Sequence, residues 1–260
     1  MLKFALSLAK KAIHTPLPEL HERVARAMKV YVFKYPTIIV LQTASACNLK
    51  CEHCFINNYG CEITDGVKKI MTMEEFETFV TPLIPAIKQA DYFQFTTFEP
   101  FLQKNLFQMM DRILEINPKV KFPILTNVQM IDDSTLEKLK NYPISEFTVS
   151  LDGMHRETVE SFKTGTNFDK IVEVMKKFTE LNFSVPLQCV FVMQKNNYRE
   201  LPEYMDFVNK LGCKRVYVNN LLSFTEKHKD ITLYSSEYQS ELQSIFAQTI
   251  QKAETNGQEL

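Results

Sequence analysis

From Pro36 onward the chain alternates between two hydrophobic periods. Short runs rich in β-branched and aromatic residues read as strands: 37–42, 91–98, 119–126, 146–151, 183–193 and 214–218. Between them lie longer stretches with apolar positions three and four apart, which read as helices. These cover 73–90, 102–116, 133–141, a trailing stretch up to Leu181, 198–211 and 236–253. Gly212 is placed to cap the fifth of these helices. Six strand-then-helix units in succession predict an α/β chain with a parallel sheet covered by helices on one side. An eight-fold barrel takes about 250 residues. Six units predict an open, partial (β/α)6 barrel over 35–260, with candidate ligand-binding residues at the carboxyl ends of the strands.

The first 34 residues have a different pattern. Lys3, Ser7, Lys10, Lys11 and His14 share one helical face, and Leu2, Ala5, Leu6, Ala9 and Ile13 the other. Thr15-Pro16-Leu17-Pro18 breaks the chain before a second helical stretch over 19–31. Seven Lys or Arg against two acidic residues make 1–34 a basic helical extension. It either packs on the main domain or lies on an anionic membrane surface through residues 1–14. Charged positions interrupt its apolar run and no small-residue cleavage site follows, so it does not read as a secretory signal.

Over the whole chain of 260 residues, Lys plus Arg is 30 and Asp plus Glu is 31. A balance so close to neutral argues against nucleic acid as a partner. Only six glycines are present, none at the spacing of a dinucleotide-binding turn or a phosphate loop, which excludes simple Rossmann and Walker-type enzymes. No run of about 18 apolar residues marks a membrane span. The six cysteines are clustered rather than spread, unlike a secreted disulfide scaffold. They point to a metal or redox site in a reducing compartment, hence a cytoplasmic location, membrane-associated if the basic extension docks.

The sharpest signal is Cys47-Asn-Leu-Lys-Cys51-Glu-His-Cys54, directly after the first strand. Three thiolates on one short loop suit zinc or an iron–sulfur cluster. Structural zinc takes four protein ligands, and no second Cys-x-x-Cys pair exists, though His53 or Cys61 can supply a fourth. Three cysteines on a four-iron cubane leave one iron open for a substrate. Cys189 and Cys213 read as buried small hydrophobes, and Cys61 as a residue at the mouth of the site.

This CxxxCxxC arrangement in a six-unit chain resembles the radical S-adenosylmethionine (SAM) superfamily. Other motifs follow in the family's order. Phe98-Glu99-Pro100 is similar to its Gly-Gly-Glu-Pro segment, and Leu125-Thr126-Asn127 to its Thr-Asn-Gly turn. Ser150-Leu151-Asp152-Gly153 matches members with a C-terminal SPASM extension, and the stretch 156–176 and Val192 to Asn196 are also similar. The resemblance covers residues 36–225. It implies a [4Fe–4S] cluster on Cys47, Cys51 and Cys54, with SAM chelated at the open iron. Reductive cleavage of SAM then yields a 5′-deoxyadenosyl radical that abstracts hydrogen from a substrate, with flavodoxin or ferredoxin as electron donor. It further implies that the backbone at His53 meets adenine and that Glu99 holds the methionine amino group. Ser150 would meet the ribose, Gln188 the carboxylate or ribose, and Asn127 either SAM or substrate. Asp152-Gly153 either shapes a turn or binds.

The chain departs from the family twice. Thr97-Phe98 stands in place of the glycine pair that gives SAM close backbone approach. No cysteine follows Cys213, so auxiliary clusters of the SPASM kind are not expected; the chain is either a minimal core enzyme or a fragment. Three functions stay open. The first is radical chemistry on a peptide or protein side chain. The second is the same chemistry on a lipid or small metabolite at a membrane. The third is a non-catalytic iron–sulfur or zinc protein.

Overall fold

The computed structural model describes residues 35–54, 69–95, 98–223 and 226–260. The basic extension, Cys61 and Thr97 lie outside the described residues.

The strands are β1 (Ile38–Leu41), β2 (Lys50–Cys51), β3 (Tyr92–Phe95), β4 (Phe122–Thr126), β5 (Ile144–Ser150), β6 (Lys163–Thr164), β7 (Leu187–Met193) and β8 (Cys213–Asn220). The helices are α1 (Met73–Ile87), α2 (Leu106–Ile116), α3 (Asp133–Leu139), α4 (Arg156–Phe162), α5 (Phe168–Glu180), α6 (Leu201–Lys210), α7 (Glu226–Lys229) and α8 (Gln239–Asn256). β1 and β3 pair in parallel, and β4–β5–β7–β8 form a four-stranded parallel sheet. A bridge between Tyr92 and Lys121 joins the two pieces, with Phe93 N donating to Lys121 O at 2.9 Å. The result is a curved run of six parallel strands. Among the described residues no pairing returns β8 to β1, so the barrel is partial, as the repeating pattern predicts.

Local chemistry explains where the helices begin. Thr72 caps α1 in a reciprocal box: Glu75 N donates to Thr72 Oγ1 at 3.2 Å, and Thr72 N to Glu75 Oε2 at 2.9 Å. Asp132 caps α3 by accepting from Thr135 N at 2.7 Å, and Asn167 caps α5 through Lys170 N. The helices bury their apolar faces on the outer face of the sheet. Phe93, Phe95, Phe122 and Phe147 on strands pack there, and Phe147 stacks on Phe178 of α5 at 4.4 Å between ring centroids. The opposite face of the same strands is open. Ile38 and Val40 are 53% and 54% exposed, and Leu125 and Tyr217 are 40% and 41% exposed. Because side chains alternate along a strand, these residues line the concave wall.

Several boundaries differ from those the pattern predicts. The fifth long strand begins at Leu187 rather than Phe183, because Phe183 stacks on Phe178 at 4.1 Å and Pro186 precedes the pairing. The third begins at Phe122 and the sixth runs on to Asn220. The second helix starts at Leu106, with a 3₁₀ turn over Pro100–Leu102 before it. The helical stretch after β5 is two helices, split by β6. That two-residue strand pairs antiparallel with β2, joining Lys50 to Thr164 and Cys51 to Lys163. Pairs this short leave no periodicity in sequence.

Candidate functional site

The cysteine loop leaves the carboxyl end of β1 and crosses the top of the sheet. Its course is set by backbone bonds. Glu52 N donates to Phe162 O at 2.8 Å, Cys54 N to Cys51 O at 3.2 Å, and Leu49 N to the Cys47 sulfur at 3.4 Å. All three thiols are partly exposed. Burial raises the Cys47 thiol above its ordinary value and pushes Cys51 up to about 12, with Lys163 opposing the shift at Cys51.

On one side of the loop stands Glu99, itself almost fully buried. Its Oε1 accepts from Phe101 N at 3.2 Å and Thr126 Oγ1 at 2.8 Å, and its Oε2 from Asn127 N at 2.9 Å. Burial raises this carboxyl above the usual range, and the three donors pull it back. Asn127 carries the network to the loop: its Nδ2 donates to Asn48 Oδ1 at 3.0 Å and approaches the Cys47 sulfur at 3.7 Å. The next residue, Val128, has φ +59°, a left-handed conformation costly for a β-branched residue. It stands at the glycine of the Thr-Asn-Gly motif, a third departure from the family that the sequence reading passed over.

On the other side stands a second cluster. Ser150 accepts from Lys163 Nζ through both its hydroxyl and its carbonyl, each at 2.8 Å. Lys163 also pairs with Asp152 at 2.7 Å, and both are buried. Asp152 accepts from Val192 N at 2.8 Å through its other oxygen, so it does more than shape a turn. His53 reaches toward the same carboxylate at 3.8 Å and packs edge-on to Phe162 at 5.6 Å. Burial lowers the basicity of the imidazole, and Asp152 opposes this. Its Nδ1 has no hydrogen-bond partner.

The structure thus gathers Cys47, Glu99 and Asn127 on one flank, with Ser150 and His53 on the other. Gln188 is set apart. It sits lower on β7, buried, and accepts from Thr148 Oγ1 at 3.2 Å, while Ser150 lies opposite Val190. Cys189 and Cys213 are buried in the core as expected, facing each other from adjacent strands. Sequence reasoning passed over Lys163 and Asn48. Neither has a diagnostic spacing, and the role of Lys163 comes from the β2–β6 pairing, which places it under the loop.

A family model described as the Radical SAM superfamily matches residues 41–219. The chain belongs to that superfamily. Its cofactors are accordingly a [4Fe–4S] cluster and SAM. The donor set fits: three soft thiols on one loop, and His53, once eligible as a zinc ligand, turned instead to Asp152 and Phe162. Among the described residues no three His, Cys, Asp or Glu side chains close around one point as the ligands of a single ion do. Curated relatives include an Fe-coproporphyrin III synthase of Methanosarcina barkeri, 27% identical over 191 residues, 71% of this chain and 44% of that protein. Another is the tungsten-containing aldehyde ferredoxin oxidoreductase cofactor-modifying protein of Pyrococcus furiosus, 26% identical over 75% of this chain and 54% of that one. The chain therefore spans about half the length of these relatives. Among solved structures, Streptococcus suis SuiB bound to precursor peptide SuiA aligns with a TM-score of 0.65. It is 21% identical and covers 92% of this chain and 51% of that one. AnSMEcpe with bound AdoMet gives 0.66 at 22% identity, covering 86% and 62%. These likenesses show the fold. No helix among the described residues is long and apolar enough to cross a membrane.

Proposed function

We propose that this chain is the core of a radical SAM enzyme acting on a peptide or protein side chain, with a flavodoxin- or ferredoxin-type protein as electron donor. When bound on Cys47, Cys51 and Cys54, the cluster and SAM supply a 5′-deoxyadenosyl radical able to abstract hydrogen. The protein's own groups bind and orient. An ionised carboxylate has about four acceptor sites. Glu99 has three filled, which leaves one for the methionine ammonium, a charge-assisted contact. The Ser150 hydroxyl accepts from Lys163, so its own proton is free to donate to a ligand oxygen. Lys163, paired with Asp152, holds that hydroxyl in place. The backbone at His53, whose ring is fixed edge-on against the buried Phe162, is suited to meet the adenine.

The observation that carries this reading is the pair of buried polar clusters, one built on the Glu99 carboxylate and one on the Lys163–Asp152 ion pair, flanking a three-thiol loop at the carboxyl end of the sheet. The peptide assignment draws support from the open, largely uncharged concave wall and from the peptides bound in SuiB and in anSMEcpe, which share the fold. The test is anaerobic. Reconstituted protein with SAM and a strong reductant should release 5′-deoxyadenosine, detected by mass, and Cys51→Ala should not. A well-formed four-iron cluster in wild type with no such product, with or without peptide substrates, would count against the activity.

A further inference from the structure

We infer that His228, far along the chain on α7, is a positioning residue for the cluster loop. Its Nε2 meets Glu52 O at 3.1 Å, and Glu52 is the first of the two residues between Cys51 and Cys54. A carbonyl only accepts, so Nε2 carries the hydrogen. His228 is fully buried, and its bond to the partly exposed Glu52 is part-buried. The histidine is held in turn by its own strap. His228 O accepts from Ile231 N at 3.2 Å and Thr232 N at 3.1 Å, and Ile231 O accepts from Lys195 N, just past β7, at 2.9 Å.

The backbone of Glu52 is thereby fastened on both sides. Its N–H is held by Phe162 O at the end of α4, and its C=O by His228. Rotation of the backbone at Glu52 would swing Cys51 against Cys54, so these two bonds fix the directions of two thiols. Buried side chains that orient ligands from behind commonly set metal affinity, and hydrogen bonding around a cluster tunes its potential. The usual alternative for a buried histidine is a satisfied core residue with no such effect. What favours positioning is the acceptor: a backbone carbonyl within the ligand loop itself.

The inference rests on the cluster assignment, and the test separates the two. Three proteins are compared: wild type, His228→Ala and His228→Gln, whose amide nitrogen can replace Nε2. The first measurement is hydrogen–deuterium exchange on the metal-free proteins. The Ala variant should exchange about tenfold faster in peptides spanning 47–54, the rate equivalent of one lost hydrogen bond. Peptides from β5 and β7 should be unchanged, and the Gln variant should recover. The second measurement is cluster loss to a chelator, followed by absorbance after anaerobic reconstitution. It should be at least roughly tenfold faster in the Ala variant, with a shifted midpoint potential, and restored in the Gln variant. Loop exchange and cluster loss equal to wild type in the Ala variant would overturn the inference. So would faster exchange spread evenly through the sheet and not rescued by Gln. A wild-type protein that takes up no cluster would end the cluster assignment, while the exchange data would still decide whether His228 holds the loop.

Discussion

Lys163 shows how much one residue can carry without a sequence signal. Its ammonium is buried, bonded to Ser150 and paired with Asp152. Removing one partner of such a pair leaves an uncompensated charge. Lys163→Met should therefore lower the stability of the metal-free protein by about 3–5 kcal/mol in urea titrations, and adding Asp152→Asn should recover part of it. Full additivity of the two losses would contradict the pairing. Val128 poses the opposite case, a strained residue at the edge of the site. Relief of its left-handed strain is worth about 1–3 kcal/mol, and loss of a buried valine side chain costs about 1.5–3 kcal/mol. Val128→Gly should thus lie within about 1 kcal/mol of wild type. A loss above about 3 kcal/mol would show that the turn stores no strain. At this scale the placing of the cysteines, Glu99, Asn127 and Ser150 around one loop was legible because each belongs to a short contiguous motif. Lys163, Asn48 and His228 were not, because what recruits them is a contact between distant segments.

Elements were legible where a period had room to repeat. α1, α2, α5 and α8 each run eleven residues or more and follow the apolar spacing of the sequence. β2 and β6 are two residues each, too short for alternation, yet they anchor the cluster loop. The caps are a finer test of the local code. The Asp132 carboxylate, bonded to Thr135 and Ser134 at the start of α3, is lowered to about 2. A carboxylate held below its unfolded value stabilises the fold above that value, and the contribution fades as pH falls through the folded one. Asp132→Ala should cost about 1 kcal/mol near neutrality, a modest figure for an exposed cap. Urea midpoints of wild type and variant should converge as the pH drops from about 4 to about 2. A constant gap across that interval would mean that the carboxylate charge plays no part.

For the whole molecule, the decisive feature is the division of the sheet into two faces. The outer one is packed under helices; the inner one carries exposed aliphatic and aromatic side chains. Phe147→Ala on the outer face should cost about 3–5 kcal/mol. Leu125→Ala on the inner wall should cost less than about 1 kcal/mol, since little apolar area is lost from burial there. Equal costs would mean that the inner wall is packed rather than open. Parallel sheets ordinarily have both faces covered, which makes an open apolar wall a place for ligands.

The clamp on Glu52 also has a consequence in time. The three cysteines are made early, within the first 54 residues, but the bonds that fix their loop reach to Phe162 and His228. During synthesis a chain of about 200 residues would already carry Cys47, Cys51 and Cys54 and still lack the second half of the clamp. Contacts so remote in sequence form late, after loop closure has been overcome. Iron and sulfide delivered before His228 has emerged would meet a loop that still lacks half of its clamp.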